Sequence, residues 1–282
     1  MTAPNPLRDD APLDSTASLM AAIGTQLAGR LRLVRPDGRH RPGPPALVAV
    51  AHGSRDPRAL GTVRALLDRV RELRPALEVH LGHIELNAPL LADTLAALGD
   101  REAVLVPLLL SRGYHVKQDI PDLAAASPVR ARVAAPLGPH PLLVETLYAR
   151  LTEAGWPAEP TRAERRSSAV VLAAAGSRDP DSAADTRRVA QLLADRLGVP
   201  VVPAYASAAT PTVRTAIRAL TARGRHRIAV ASCFTAPGRF ATECAEAAPW
   251  LAARPLGAHP AMARLVLRRY DQALATPETT AA

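Results

Sequence analysis

Short apolar runs alternate along the chain with segments whose apolar residues recur at helical spacing, and this alternation predicts strands and helices in turn. A Val-rich run at 46–51 precedes residues at helical spacing from Leu60 to Leu73. Further apolar runs predict strands at 77–84, 103–110 and 129–134, and helical patterns run from Pro89 to about Leu98 and from Pro141 to Leu151, with a polar loop after the third strand. This alternation favours a mostly parallel sheet with helices on both faces.

The pattern restarts after a polar segment at 154–168, which we interpret as a linker. The pentapeptide GSRDP occurs at 53–57 and again at 176–180, each time after an apolar run. The stretch 79–98 aligns without a gap on 201–220, and PLGPHP at 136–141 corresponds to PLGAHP at 255–260. We therefore predict an α/β fold of two tandem copies of one domain, at 46–153 and 169–275.

The ends and the composition restrict the remaining possibilities. Residues 1–45 are rich in Pro, Asp, Arg and Gly and are predicted to be a mostly disordered extension with one amphipathic segment at 18–33, while 276–282 form a tail. We find no signal-peptide pattern and no run of about 18 apolar residues, which favours a soluble, cytoplasmic protein without a membrane partner. Net charge is +9, but the arginines are scattered and not interleaved with aromatic residues, so no nucleic-acid partner is expected. The two cysteines, Cys233 and Cys244, lack metal-ligand spacing, which argues against a zinc or iron–sulfur site.

Comparison of the two copies separates scaffold from candidate chemistry. Reactive residues of the first copy are replaced in the second: His52 by Ala175, Glu85 by Ser207 and His115 by Phe240. The three reactive residues follow the first, second and third predicted strands, at the sheet edge where open α/β folds bind ligands. Imidazole and carboxylate groups can bind a late first-row divalent metal, and imidazole accepts protons near neutral pH. We therefore predict one site, in the first copy.

Other residues have simpler interpretations. His140 and His259 recur in both copies at helix starts and are interpreted as structural, and His83 as a packing or supporting residue. Ser54 and Arg55 lie in GSRDP, which is predicted to form a capping turn or, with the N–H groups of the following helix, to hold an anion. A hydrolase using Ser54 is a weaker alternative, because no G-x-S-x-G elbow surrounds it.

Three segments together resemble the sirohydrochlorin chelatases, the class II tetrapyrrole chelatases also called the cobalamin-biosynthesis cobaltochelatase family. They are VAVAHGSRDP at 48–57, GHIELNAP at 82–89 and VPLLLSRGYHVKQDIP at 106–121. The resemblance covers about 46–275 as two successive domains, as in the long bacterial form. One departure is Ala88, where many members have an acidic residue before the proline.

The resemblance implies a lyase that inserts Fe²⁺ or Co²⁺ into sirohydrochlorin for sirohaem or cobalamin biosynthesis. The metal would be a substrate, and no permanently bound cofactor is expected. His52 and His115 would bind the metal and accept protons with help from Glu85. The expected substrate contacts are Ser54, Arg55, Leu110, Ser111, Arg112, Gly113 and Tyr114, with Lys117 a further candidate for the substrate's carboxylates.

Three further expectations complete this interpretation. No ATP-binding motif is present, so the reaction is expected to be independent of ATP. The second copy, without the histidines, could form the opposite wall of a cleft that encloses the ring. We expect a monomer or a weak homodimer, and a non-catalytic tetrapyrrole or metal carrier of the same fold is the main alternative.

Overall fold

Two four-stranded parallel sheets form the centre of the protein. In this computed structural model, which describes residues 43–276, the first sheet comprises β1 (Ala46–Ala51), β2 (Val79–His83), β3 (Glu102–Pro107) and β4 (Arg130–Val133). The second comprises β5 (Ser168–Ala174), β6 (Val201–Tyr205), β7 (Arg227–Ser232) and β8 (Leu251–Ala252). Their strand orders, β2-β1-β3-β4 and β6-β5-β7-β8, are the same. The predicted tandem α/β fold is therefore confirmed.

Helices connect the strands in both copies. The first copy has α1 (Pro57–Leu73), α2 (Leu91–Leu98), α3 (Ile120–Ala125) and α4 (Pro141–Glu153). The helices that follow are α5 (Arg162–Ser167), α6 (Pro180–Leu197), α7 (Val213–Thr221), α8 (Arg239–Glu246) and α9 (Pro260–Ala275). No helix among the described residues is long and apolar enough to cross a bilayer.

Most of the predicted N-terminal extension, including its amphipathic segment at 18–33, lies outside the described residues, as does the tail beyond residue 276. From Pro45 onward the described residues form one compact unit. The segment predicted as a linker contains α5, which begins at a capping box formed by Thr161 and Glu164. It also contains Trp156, which is buried against Trp250 with ring centroids 5.6 Å apart.

Two local predictions are wrong. Helix α2 begins at Leu91 rather than Pro89, because the chain is still extended there: the Pro89 carbonyl accepts the His83 amide hydrogen, and Leu90 forms a β-bridge with His83. The segment after β3, predicted as a polar loop, contains a π-helical turn at His115–Asp119 and then α3. Such turns are rare and often occur at functional sites.

GSRDP forms the start of a helix in both copies, as predicted. Asp56 precedes α1, and its side chain accepts the amide hydrogen of Arg58, while Pro57 occupies the first helical position. Asp179 and Pro180 repeat this arrangement at α6. The capping turn is therefore scaffold common to the two copies.

The last helix of each copy packs on the other copy. Helix α9 contacts α1, β3 and β4 of the first copy, and α4 contacts α6 and β7 of the second. One hydrophobic cluster consequently passes through both copies, with Leu47 and Val104 from the first sheet and Val170 and Leu172 from the second. The outer face of each sheet has a smaller cluster of its own. The two copies therefore share their main core.

His140 and His259 are structural, as predicted, because each caps the helix that follows it. Nδ1 of His140 accepts the Leu142 amide hydrogen at 3.1 Å, and Nδ1 of His259 accepts that of Ala261 at 3.2 Å. Burial lowers the pKa of both imidazoles, and nearby arginines lower it further. The fold therefore favours the neutral rings, whose Nδ1 can accept a hydrogen bond.

We expect the free energy of unfolding to fall as the pH is lowered below about 6.5. The folded-state pKa values of His140 and His259 lie below the ordinary value of 6.5. Between the two values the unfolded chain binds more protons, so acidification favours unfolding. Urea unfolding at a series of pH values from neutral to mildly acidic measures this effect. A double variant, His140→Asn with His259→Asn, retains non-titrating caps and should depend less on pH. An undiminished dependence would contradict this explanation.

Candidate functional site

A cleft of about 1420 Å³ lies between the two copies. Its first-copy wall consists of the turns that follow β1 and β2 and the loop after β3, and its second-copy wall consists mainly of residues 174–177 and 233–246. Ligand sites for small molecules usually enclose about 300–1,000 Å³. The cleft is therefore large enough for a bulky ligand.

The structure brings together the three residues predicted to form the site. His52 follows β1, Glu85 lies beyond β2, and His115 begins the π-helical turn. The two imidazole rings are nearly perpendicular, with centroids 4.7 Å apart. Nδ1 of His52 lies 3.4 Å from Oε1 of Glu85. All three side chains line the cleft and are partly exposed, so a ligand in the cleft can reach them.

Gly53 allows the turns after β1 and β2 to touch. It has φ of 104°, and a Cβ atom there would lie 1.9 Å from the carbonyl oxygen of Glu85. The Glu85 amide donates to the His52 carbonyl at 3.0 Å. Gly176 and Ser207 repeat this contact in the second copy, again with a Cβ-to-oxygen distance of 1.9 Å. The close approach therefore belongs to the scaffold, and only the first copy places reactive side chains on it.

Asp119 is a site residue that the sequence interpretation missed. Its Oδ2 lies 2.5 Å from Nδ1 of His115, four residues earlier on the π-helical turn. A carboxylate only accepts hydrogen bonds, so the neutral ring carries its proton on Nδ1 and its lone pair on Nε2. Oε1 of Glu85 also lies near Nδ1 of His52, but at the longer distance of 3.4 Å. Such carboxylate–imidazole pairs orient histidines that bind metals or protons through the other nitrogen.

Most of the predicted substrate contacts line the cleft: Ser54, Arg55, Leu110, Ser111, Gly113 and Tyr114. The Ser54 amide donates to Oδ1 of Asn87 at 2.6 Å, and the Ser54 hydroxyl accepts from the Asp56 amide at 3.1 Å. Tyr114 is 66% exposed. Ser54 is thus tied into the turn, whereas Tyr114 is free to contact a ligand.

Arg112 is placed differently from its predicted role as a substrate contact. It is absent from the cleft lining, and its guanidinium bonds to Asp185 of α6, with Nη2 2.7 Å from Oδ1. Nζ of Lys117 likewise lies 2.7 Å from Oδ2 of Asp179 and 2.9 Å from Oδ2 of Asp181. The acidic residues at the start of α6 face this loop, so both cations are already paired.

His83 is a packing residue in this structure, in agreement with its predicted role. The residue is only 2% exposed, and Nδ1 donates to the Pro89 carbonyl at 3.1 Å. The residue is also among those that line the cleft. Among residues 43–276, no group of three His, Cys, Asp or Glu side chains has the arrangement of a metal site.

The second-copy wall contains residues that the sequence interpretation did not single out. Phe240, the counterpart of His115, lines the cleft, and the Arg239 guanidinium lies 4.7 Å from its ring centroid. Cys233 also lines the cleft, but burial raises the pKa of its thiol to about 12, so the thiolate form is disfavoured at neutral pH. The alignment of the two copies could have indicated that Phe240 lies at the cleft, because it pairs Phe240 with His115, a predicted site residue.

Comparison with known proteins gives matches that extend over both copies. The model of the CbiX family matches residues 46–154 and 169–273. A sirohydrochlorin ferrochelatase of Bacillus subtilis (strain 168) is 30% identical over 178 residues, which are 60% of this chain and 66% of the relative. A sirohydrochlorin cobaltochelatase of Priestia megaterium is 27% identical over 168 residues, 56% of this chain and 53% of the relative. The aligned regions thus span about two thirds or less of these curated relatives.

A solved structure described as SirB from Bacillus subtilis with Fe³⁺ has a similar fold. The TM-score is 0.65 at 24% sequence identity, over 82% of this chain and 95% of that chain. The similarity therefore extends across both copies of the repeat and concerns the fold.

Proposed function

This chain belongs to the CbiX family, and we propose that it inserts a divalent metal ion into sirohydrochlorin. The model of that family matches each of the two copies. The observation that carries the proposal is the cluster of His52, Glu85 and His115 inside a cleft large enough for a tetrapyrrole. The names of the relatives include both a ferrochelatase and a cobaltochelatase, so Fe²⁺ and Co²⁺ are the proposed metals. Imidazole and carboxylate ligands suit both ions.

The chemistry requires a route for protons as well as for metal. Insertion of a divalent ion replaces the hydrogens of two pyrrole N–H groups, so each turnover releases two protons. His52 and His115 provide two imidazoles for this transfer, and each has a carboxylate oxygen near its Nδ1, which leaves Nε2 of each ring to face the ligand. In this proposal the ion is a substrate that the histidines guide, and the reaction is of the lyase class and needs no ATP.

The distribution of charge supports an acidic substrate. Basic and acidic residues are equal in number in 46–153, whereas basic residues are twice as numerous in 169–275. Arg55 and Arg239, both exposed, line the cleft from opposite copies. Sirohydrochlorin carries several carboxylates, and guanidinium groups bind carboxylates through paired hydrogen bonds. We propose that these two arginines contact the substrate's side chains.

A direct assay tests the proposal. Purified protein mixed anaerobically with sirohydrochlorin and Co²⁺ or Fe²⁺, without ATP, should change the visible spectrum of the tetrapyrrole faster than the metal alone does. Initial rates with each ion then identify the preferred metal. If the protein binds the tetrapyrrole but insertion is no faster than without protein, the proposal is wrong and the carrier alternative is favoured.

The hydrolase alternative has no geometric support. The Ser54 hydroxyl accepts a hydrogen bond from the Asp56 amide, and no described histidine bonds to it. A serine nucleophile needs a base within hydrogen-bonding reach. Metal insertion that persists in a Ser54→Ala variant would exclude this alternative for the measured activity.

A further inference from the structure

The loop that carries His115 is attached to the second copy through three side chains. Ser111 shares a hydroxyl–hydroxyl hydrogen bond of 2.8 Å with Ser182, and Arg112 and Lys117 pair with carboxylates of α6 and its cap. We call these contacts the α6 anchor; its members are Ser111, Arg112 and Lys117 with Asp179, Asp181, Ser182 and Asp185. The anchor joins residues about 60 to 70 positions apart in the sequence.

Asp185 is the central member of the α6 anchor. Its side chain is only 4% exposed, and it accepts hydrogen bonds from Nε and Nη2 of Arg112 and from the Arg112 backbone amide at 2.8 Å. Because one of these donors belongs to the main chain, Asp185 fixes the path of the loop as well as one side chain. Hydrogen bonds between charged groups are the stronger class, and a buried carboxylate needs all of its partners.

The α6 anchor occurs on one side of the cleft only. The main-chain approach is shared, since Gly113 lies close to Ser177 and its counterpart Gly238 lies close to Ser54. The polar contacts are not shared: the counterparts of the loop residues are Ala236, Pro237 and Thr242, and those of Ser182 and Asp185 are Ala59 and Thr62. If the α6 anchor served only to join the two copies, it could equally be on the corresponding loop of the second copy. It is on the loop that bears a reactive histidine.

We infer that Asp185 is a positioning residue for the proposed metal insertion, through which the second copy holds His115 against His52. His115 is three positions after Arg112, and its ring lies 4.7 Å from that of His52. A loop released from α6 would let the two imidazoles separate, and small displacements of reacting groups can lower a rate about 100-fold. This inference rests on the proposed function only for its effect on rate; the anchoring itself is independent of it.

The test compares Asp185→Asn with a matched control, Asp271→Asn. Asp271 of α9 likewise makes two hydrogen bonds to an arginine of the other copy, in this case to Nη1 and Nη2 of Arg74 at 2.6 and 2.9 Å, and neither Asp271 nor Arg74 lines the cleft. In Asp185→Asn we expect amide hydrogen exchange at 110–119 to become at least about 10-fold faster. We also expect kcat for Co²⁺ insertion to fall about 10-fold or more, with KM for the tetrapyrrole little changed. Asp271→Asn should change neither quantity.

Each outcome decides the inference. Unchanged exchange in Asp185→Asn would show that no anchoring exists, and faster exchange with an unchanged kcat would show that anchoring does not position His115. If the wild type inserts no metal, the proposed function fails. The positioning of His115 is then judged by a Co²⁺ titration followed by visible absorption. Weaker Co²⁺ binding by Asp185→Asn supports the positioning role, and binding equal to that of the wild type overturns it. Should Asp185→Asn fail to fold, Arg112→Gln disrupts the same pair from the loop side and is judged by the same criteria.

Discussion

Replacing His52 with alanine is expected to lower the rate of metal insertion by about 10²- to 10⁴-fold, the range typical for loss of a group that transfers protons. The imidazole lies close to both Glu85 and the ring of His115, so its removal takes away the proposed proton acceptor and the proposed metal contact together. Its side chain is 43% exposed, so little packing is lost and the fold should persist. Initial rates of the spectral change, with thermal unfolding in parallel, measure both effects.

His80→Ala is the matched control, because this imidazole is bonded to Glu78 and does not line the cleft. Its insertion rate should equal that of the wild type. His115→Ala should resemble His52→Ala, and the double variant should be little worse than either, because groups that act as one unit are not additive. A His52→Ala enzyme that retains wild-type rates would remove His52 from the proposed mechanism.

Gly53→Ala is expected to destabilise the protein by at least about 2–4 kcal/mol, as a strained backbone and a steric clash act together. The φ of 104° is unfavourable for alanine, and the new Cβ would lie 1.9 Å from the Glu85 carbonyl oxygen. To accommodate it, the turns after β1 and β2 must move apart, which also separates Glu85 from His52. Urea unfolding measures the loss of stability, and the insertion rate of the remaining folded protein measures the second effect.

Two other glycines provide controls for this prediction. Gly61→Ala lies within α1 with nothing within 4 Å of the new Cβ, so it should stabilise the protein by about 0.5–1 kcal/mol. Gly176→Ala makes the equivalent clash with the Ser207 carbonyl and should destabilise as much as Gly53→Ala. Its folded fraction should nevertheless lose less of the insertion rate than Gly53→Ala does, because this clash leaves the contact between His52 and Glu85 in place. A wild-type stability for Gly53→Ala would contradict the close contact.

The tandem fold and the composition of the candidate site were predictable from the sequence for identifiable reasons. The apolar run at 46–51 matches β1, the helical spacing from Leu60 to Leu73 lies within α1, and the repeated GSRDP marked the helix start in both copies. Parallel strands end at a common sheet edge, so residues that follow β1, β2 and β3 had to be neighbours. The meeting of His52, Glu85 and His115 follows from that rule.

The remaining features depend on contacts that periodicity does not encode. Apolar spacing shows which face of a helix is buried but not which sheet it covers, so the exchange of α4 and α9 between copies was not predictable. The partner of Arg112 is 73 positions away in the other copy, and nothing local distinguishes this paired arginine from a free one. The pairing of Asp119 with His115 was not predicted, because this contact depends on the π-helical conformation of the turn that joins the two residues.

The exchanged helices also explain why a copy without counterparts of His52 and His115 would be retained. Helix α9, the last element of the second copy, contacts β3 and β4 of the first, and its Met262 and Val266 belong to the hydrophobic cluster that the two copies share. A gene shortened to the first copy would encode a sheet whose apolar face keeps α1 but loses α9, and it would retain α4 without the second-copy elements which that helix contacts. Selection can therefore relax on the chemistry of the second copy while it continues to act on the packing of that copy against the first. Loss of either copy would remove part of the core of the other.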